Sequence, residues 1–147
     1  MTPPSMPPSV LPPAFRERLE QARAACAMPT GLRDKARHFA DGTLALLFPQ
    51  FDPESHRGAE GLDALARELH GLLASVVAQV GYADPARALD ASAVADAFFD
   101  GLPAIHASLL LDAEAHFAGD PAARSVDEVM LAYPGFRAVS MYRVANR

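Results

Sequence analysis

Apolar residues recur at spacings of three and four along most of this chain, most regularly at Leu62, Leu65, Leu69, Leu72, Leu73, Val76 and Val80. An α-helix gathers such positions on one face, so a helix is expected over 62–80, ended by Gly81 and Asp84-Pro85. A second pattern begins near Ala91 and carries Val94, Phe98, Leu102, Ile105 and Leu109. Pro103 falls inside it, removes an amide donor and crowds the preceding turn, which predicts a kink or restart near Gly101. Upstream, the string FRERLEQARAACA puts Phe15, Leu19, Ala22 and Cys26 along one face of a helix over 14–27, broken by Pro29-Thr30-Gly31. Leu32, Ala36, Phe39, Thr43 and Leu46 mark another over 32–47, closed by Pro49. The segment FPQFDPESHRGAEG, with Pro49 and Pro53, reads as a loop.

Two start signals follow the glycine at 119. Asp120-Pro121 has the order of an N-cap and a proline at the first helical position. Ser125-Val126-Asp127-Glu128 is a capping box ahead of Val129, Met130 and Leu131. Tyr133-Pro134-Gly135 stops that short helix, and a last one is expected over 136–147. It runs to VANR still in step, so either a helix frays at a natural terminus or this is the front piece of something longer. No alternation of period two extends beyond a few residues. The pattern predicts an all-α domain over 14–147, preceded by a disordered arm over 1–13 that holds six prolines.

Composition narrows the classes. At 147 residues, half of them apolar and 21% charged, the chain fits one domain with a real core. Its longest apolar run, 69–80, is interrupted by His70, Gly71, Ser75 and Gln79, too short for a membrane span. The first residues lack the basic and apolar regions of a signal peptide. A single cysteine, Cys26, cannot make an internal disulfide, so a cytoplasmic location is the default. A net charge of −5 argues against a nucleic-acid partner, which needs a basic face. Nothing suggests a membrane partner.

Candidate chemistry is sparse. Of five histidines, His56 lies in the loop, and His38, His70, His106 and His116 are scattered over separate helices. No HExxH or Cys/His cluster supports a metal site. Asp112, His116 and Asp120 are spaced by four and share one helical stripe. That stripe is either a ligand set or carboxylate pair for an amine, or a solvated polar face with an N-cap at its end. The aromatics Phe98, Phe99, Phe117, Tyr133, Phe136 and Tyr142 read as core. Arg137 and Arg143, six apart, face differently and suit surface or interface ion pairs. No phosphate loop, GxGxxG or GxSxG is present.

From Leu102 onwards, LPAIHASLLLDAEAHFAGDPAARSVDEVMLAYPGFRAVSMYRVA resembles the end of the amino-terminal helical domain of serine acetyltransferases. ALLFPQF and the 62–80 helix are similar to the longer-armed bacterial branch of that family. The carriers are GDPAA, the capping box, YPGFRA, and YR with an alanine two residues on. The resemblance implies transfer of the acetyl group of acetyl-CoA to the hydroxyl of L-serine, the step that commits serine to cysteine. It implies helical domains that hold trimers, in many members joined as a dimer of trimers. It places Asp120, with Pro121 beside it, in the serine pocket, where a carboxylate on a rigid turn can hold the substrate ammonium. Asp112 matches a position often acidic in the family and takes no catalytic role.

The resemblance also implies what this chain lacks. The family's general base and acetyl-CoA site lie on a left-handed β-helix of hexapeptide repeats, and no such repeats occur here. No catalytic residue, cofactor-binding residue or metal ligand is therefore expected in this chain; acetyl-CoA is the co-substrate of the complete enzyme. The tail by which many members bind O-acetylserine sulfhydrylase is also absent, so the chain is expected to be the front piece of the enzyme. Asn146 stands where the family usually has histidine, which removes a group that titrates near neutral pH. The alternative is a free-standing, non-catalytic helical assembly module. A third reading, an unrelated all-α ligand-binding protein, requires the motif match to be accidental.

Overall fold

A computed structural model of the chain describes residues 10–26, 29–52, 54 and 58–146. Expectations for residues 1–9, for His56 and for Arg147 lie outside the described residues. Among those described, every regular element is helical: α1 (Pro13–Ala24), α2 (Leu32–Leu47), α3 (Ala59–Ala83), α4 (Ala91–Asp100), α5 (Leu102–Gly119), α6 (Val126–Ala132) and α7 (Pro134–Ala145). Short 3₁₀ turns at Pro49–Phe51 and Pro85–Arg87 join them. The all-α expectation holds.

Two proline-defined boundaries show how the chain folds locally. Pro13 opens α1 instead of closing an arm, because its fixed φ and missing amide suit the first helical turn. At Gly101 the chain bends by 48° between α4 and α5, and Pro103 sits in the first turn of the new helix, as its place in the pattern predicts. Asp90 caps α4 by accepting from the amides of Ser92 and Ala93 at 3.0 and 3.1 Å. Gly31 precedes α2 with φ +80°, a left-handed turn that glycine adopts without steric cost.

The core lies where α2 and α3 meet α4, α5, α6 and α7. Phe39, Leu44, Leu69, Phe98, Ile105, Leu109, Val129 and Phe136 are buried there. The Phe39 and Phe98 rings meet edge-on with centroids 5.1 Å apart. Thr43 and Ser140 are buried too, and each hydroxyl donates to a carbonyl one turn back, Phe39 and Phe136, both at 2.8 Å. These polar groups are thus satisfied inside their own helices.

Several expectations are corrected. Gly81 does not end α3; it lies within the helix, and a Cβ there would stand 3.1 Å from Ala88 Cα, so its bareness lets the following turn fold back. Helix α1 ends at Ala24, short of Cys26, and buries no residue. Among the aromatics, Phe98 and Phe136 are core, whereas Tyr142 is 67% and Phe117 38% exposed. His106 and His116 share one helix, α5, because nothing between them breaks it. No single described helix is long and apolar enough to cross a membrane. The bent pair α4–α5 passes that test only jointly, and it packs Phe98, Ile105 and Leu109 into the core.

Candidate functional site

The last two turns of α5 carry Asp112 and His116, and Asp120 closes the helix in an extended conformation. α6 and α7 then fold back over this end; α7 contributes Arg143, and the junction between the two helices contributes Tyr133. Arg143 of α7 donates through Nη2 to Asp112 Oδ1 at 2.8 Å and through Nε to Oδ2. This forked pair holds the Asp112 carboxyl below its ordinary value, aided by the charges of Arg143 and His116 and opposed by burial. His116 Nδ1 lies 2.8 Å from the Asp112 carbonyl oxygen. A carbonyl only accepts, so Nδ1 carries the proton. The ring's other nitrogen packs against Gly135, where a Cβ would stand 3.2 Å away.

Asp120 is bound differently. Its Oδ1 accepts from the Ala122 amide at 2.9 Å and its Oδ2 from the Tyr133 hydroxyl at 2.8 Å. These bonds, the Ala122 amide first and Tyr133 second, keep its carboxyl below the usual range against a small opposing effect of burial. The same bond to Asp120 pushes the Tyr133 phenol up, so it stays protonated as a donor. Asp120 does not cap a following helix. Residues 121–122 form a turn, and α6 starts only after Ser125, whose Oγ accepts from the Glu128 amide at 3.0 Å. The second half of the capping box is shifted by one residue: Glu128 Oε2 accepts from the Arg124 amide at 2.8 Å. With its own amide partners at hand, the capping box sets the helix start, and Asp120-Pro121 becomes a turn instead.

The predicted stripe therefore separates into two sites. Asp112 is neutralised by a guanidinium, whereas Asp120 meets only neutral donors, so the stripe is not one ligand set. Pro121 is exposed beside Asp120 on the turn. Tyr133, read from the sequence as a core aromatic, is half-buried and joins this site through its hydroxyl. The YPG motif marks its position, but no spacing rule ties a tyrosine to an acceptor 13 residues upstream. Arg137 pairs with Asp41 of α2 at 2.6 Å, as an ion-pair reading of that arginine expects.

Clefts among the described residues lie away from Asp120. One of about 250 Å³ between α5 and α7 is lined by Ile105, Ser108, Tyr142, Arg143 and Asn146. Others of about 490, 580 and 270 Å³ lie along α3, and none of the four includes Asp120 or Pro121. Among the described residues, no three His, Cys, Asp or Glu side chains are grouped to hold a metal.

The fold and site define an all-α domain with an ionised aspartate presented on a turn at a helix C-terminus. No family model matches the chain. A curated relative does: the "Serine acetyltransferase, plasmid" of Synechococcus elongatus is 42% identical over 57 residues, covering 39% of this chain and 18% of that protein. The resemblance to serine acetyltransferases read from the motifs is thus found in a direct comparison, and the match spans less than a fifth of the relative's length.

Proposed function

We propose that the chain is the helical amino-terminal domain of a serine O-acetyltransferase, and that Asp120 with Pro121 is its contribution to the serine site. The observation that carries this reading is the state of Asp120. Its carboxylate is ionised, oriented by two neutral donors and unpaired with any cation among the described residues. It also closes an 18-residue helix, whose C-terminal carbonyls carry partial negative charge. A carboxylate and a helix C-terminus converge on one preference, for a cation such as the ammonium of L-serine.

The complete enzyme in this reading transfers acetyl from acetyl-CoA to the serine hydroxyl and releases coenzyme A. The base and the thioester site belong to a β-helical domain. It is a cytoplasmic homo-oligomer, a trimer or dimer of trimers, and O-acetylserine sulfhydrylase is a partner of the whole protein. Exposed apolar residues on the outer side of α5, Leu110, Leu111 and Phe117, support self-association. They equally suit the second reading, a free-standing assembly module, in which Asp120 only ties its turn to Tyr133.

The test is the reading frame that contains this chain, expressed whole and assayed for thiol release from acetyl-CoA. L-serine-dependent release is the expected result. A frame that closes directly after Arg147 and yields no such activity selects the assembly module.

A further inference from the structure

We infer that Tyr133 is a positioning residue of the serine site, fixing the Asp120 carboxylate in the orientation that meets the substrate ammonium. This rests on the serine-site reading of Asp120.

A carboxylate has about four acceptor positions. In Asp120 one position on each oxygen is taken from inside the protein, by Ala122 and Tyr133, and the others remain for a ligand. Asp112 is held differently. There the orienting group is a guanidinium, which holds the carboxylate but cancels its charge. A phenol orients without cancelling. An ammonium reaching Asp120 therefore meets a full negative charge already in place, and needs no rearrangement of the protein.

The tyrosine is itself held at both ends. Its amide donates to the Val129 carbonyl at 3.1 Å and closes α6, while its carbonyl accepts from the Arg137 amide at 3.2 Å and opens α7. Pro134 at the first position of α7 fixes the next φ. The phenol thus projects from a junction between two helices, not from a loose loop. This gives α6 a purpose that packing alone does not: its seven residues carry Tyr133 back to the end of α5.

The experiment uses the whole enzyme and compares Tyr133→Phe with Asp120→Asn. Tyr133→Phe keeps the ring and loses only the hydroxyl. KM for serine should rise about tenfold, with kcat and KM for acetyl-CoA within about twofold. The acid limb of kcat/KM for serine should move to higher pH, because Asp120 loses a donor that favours its charged form. A tie that only supports the fold lowers Tm and leaves that limb in place. If Tyr133→Phe keeps normal serine kinetics while Asp120→Asn is impaired, the inference on Tyr133 is wrong and the serine-site reading stands. If Asp120→Asn is also normal, both fall. Should Tyr133→Phe fail to fold, 3-fluorotyrosine at 133 keeps ring and hydroxyl but donates more strongly. It should move the acid limb to lower pH, and an unmoved limb overturns the inference.

Discussion

Arg143 on α7 grips both carboxylate oxygens of Asp112 on α5, in a pair whose aspartate side chain is only 20% exposed. A forked, half-shielded contact of this kind depends on guanidinium geometry, and lysine cannot reproduce it. Arg143→Lys should therefore lower Tm by roughly 3–6 °C in thermal circular dichroism. An unchanged Tm makes the pair an ornament of the surface and not the clasp between α5 and α7.

The same aspartate sets a pH dependence. Asp112 and Asp120 both titrate below their unfolded values. A depressed carboxyl contributes stability that is fully present above the unfolded pKa and is lost as pH falls through the folded one. Tm should hold through neutral pH and fall below about pH 4. Asp112→Asn should flatten that acid decline, chiefly because the Arg143 hydrogen bond is what lowers Asp112. Parallel Tm-against-pH curves for both proteins count against this assignment.

Gly42 of α2 lies against Leu69 of α3. A Cβ at position 42 would stand 2.5 Å from Leu69 Cδ2, and Leu69 is fully buried. Gly42→Ala gains about 1 kcal/mol of helix propensity against about 1–3 kcal/mol of overpacking, so net destabilisation is expected. Leu69→Ala alone should cost about 2–5 kcal/mol. Combined, the two should cost less than their sum, because the alanine at 69 opens the space that the alanine at 42 fills. Chemical denaturation measures all four proteins, and strict additivity excludes the contact.

Much of this fold is written in local signals. The bend at Gly101 follows from Pro103, whose ring and missing amide act on its own turn. The start of α6 follows from Ser125, whose hydroxyl reaches an amide three residues on. Where a single residue's geometry decides, the sequence is readable. Asp120-Pro121 has the order of a helix start and starts none, because the stronger cap five residues later takes the start of α6. The long stripe from Leu62 to Val80 predicts a helix correctly, and how much of its face is buried depends on neighbours the stripe does not name: with α2 and α4 packed on α3, only Leu69 is fully inside. Tyr133 was legible as a motif residue and not as a donor to Asp120, because that contact requires α6 to fold back. Asp112 and Asp120 look alike in a stripe, and only their partners tell them apart.

The chain alone should not transfer acetyl groups. Transfer needs a base within hydrogen-bond reach of the serine hydroxyl and a positioned thioester. His116, the histidine nearest Asp120 in sequence, is committed through Nδ1 to the Asp112 carbonyl and packs its other nitrogen on Gly135. Serine-dependent thiol release from acetyl-CoA by the purified chain would place catalytic groups here that this account assigns to another domain.

The most direct measurement is the serine kinetics of Asp120→Asn in the whole enzyme. Asparagine can still accept from the Ala122 amide and meet the Tyr133 hydroxyl through its own amide, so the turn at 120–122 should persist. It cannot supply the negative charge. kcat/KM for serine should fall by about tenfold to a hundredfold, the range expected when a charge-assisted hydrogen bond is removed. Acetyl-CoA binding and Tm should stay near those of the parent. Unaltered serine kinetics in a folded Asp120→Asn enzyme would contradict the account, leaving Asp120 a turn residue and this domain a scaffold without a share in the substrate site.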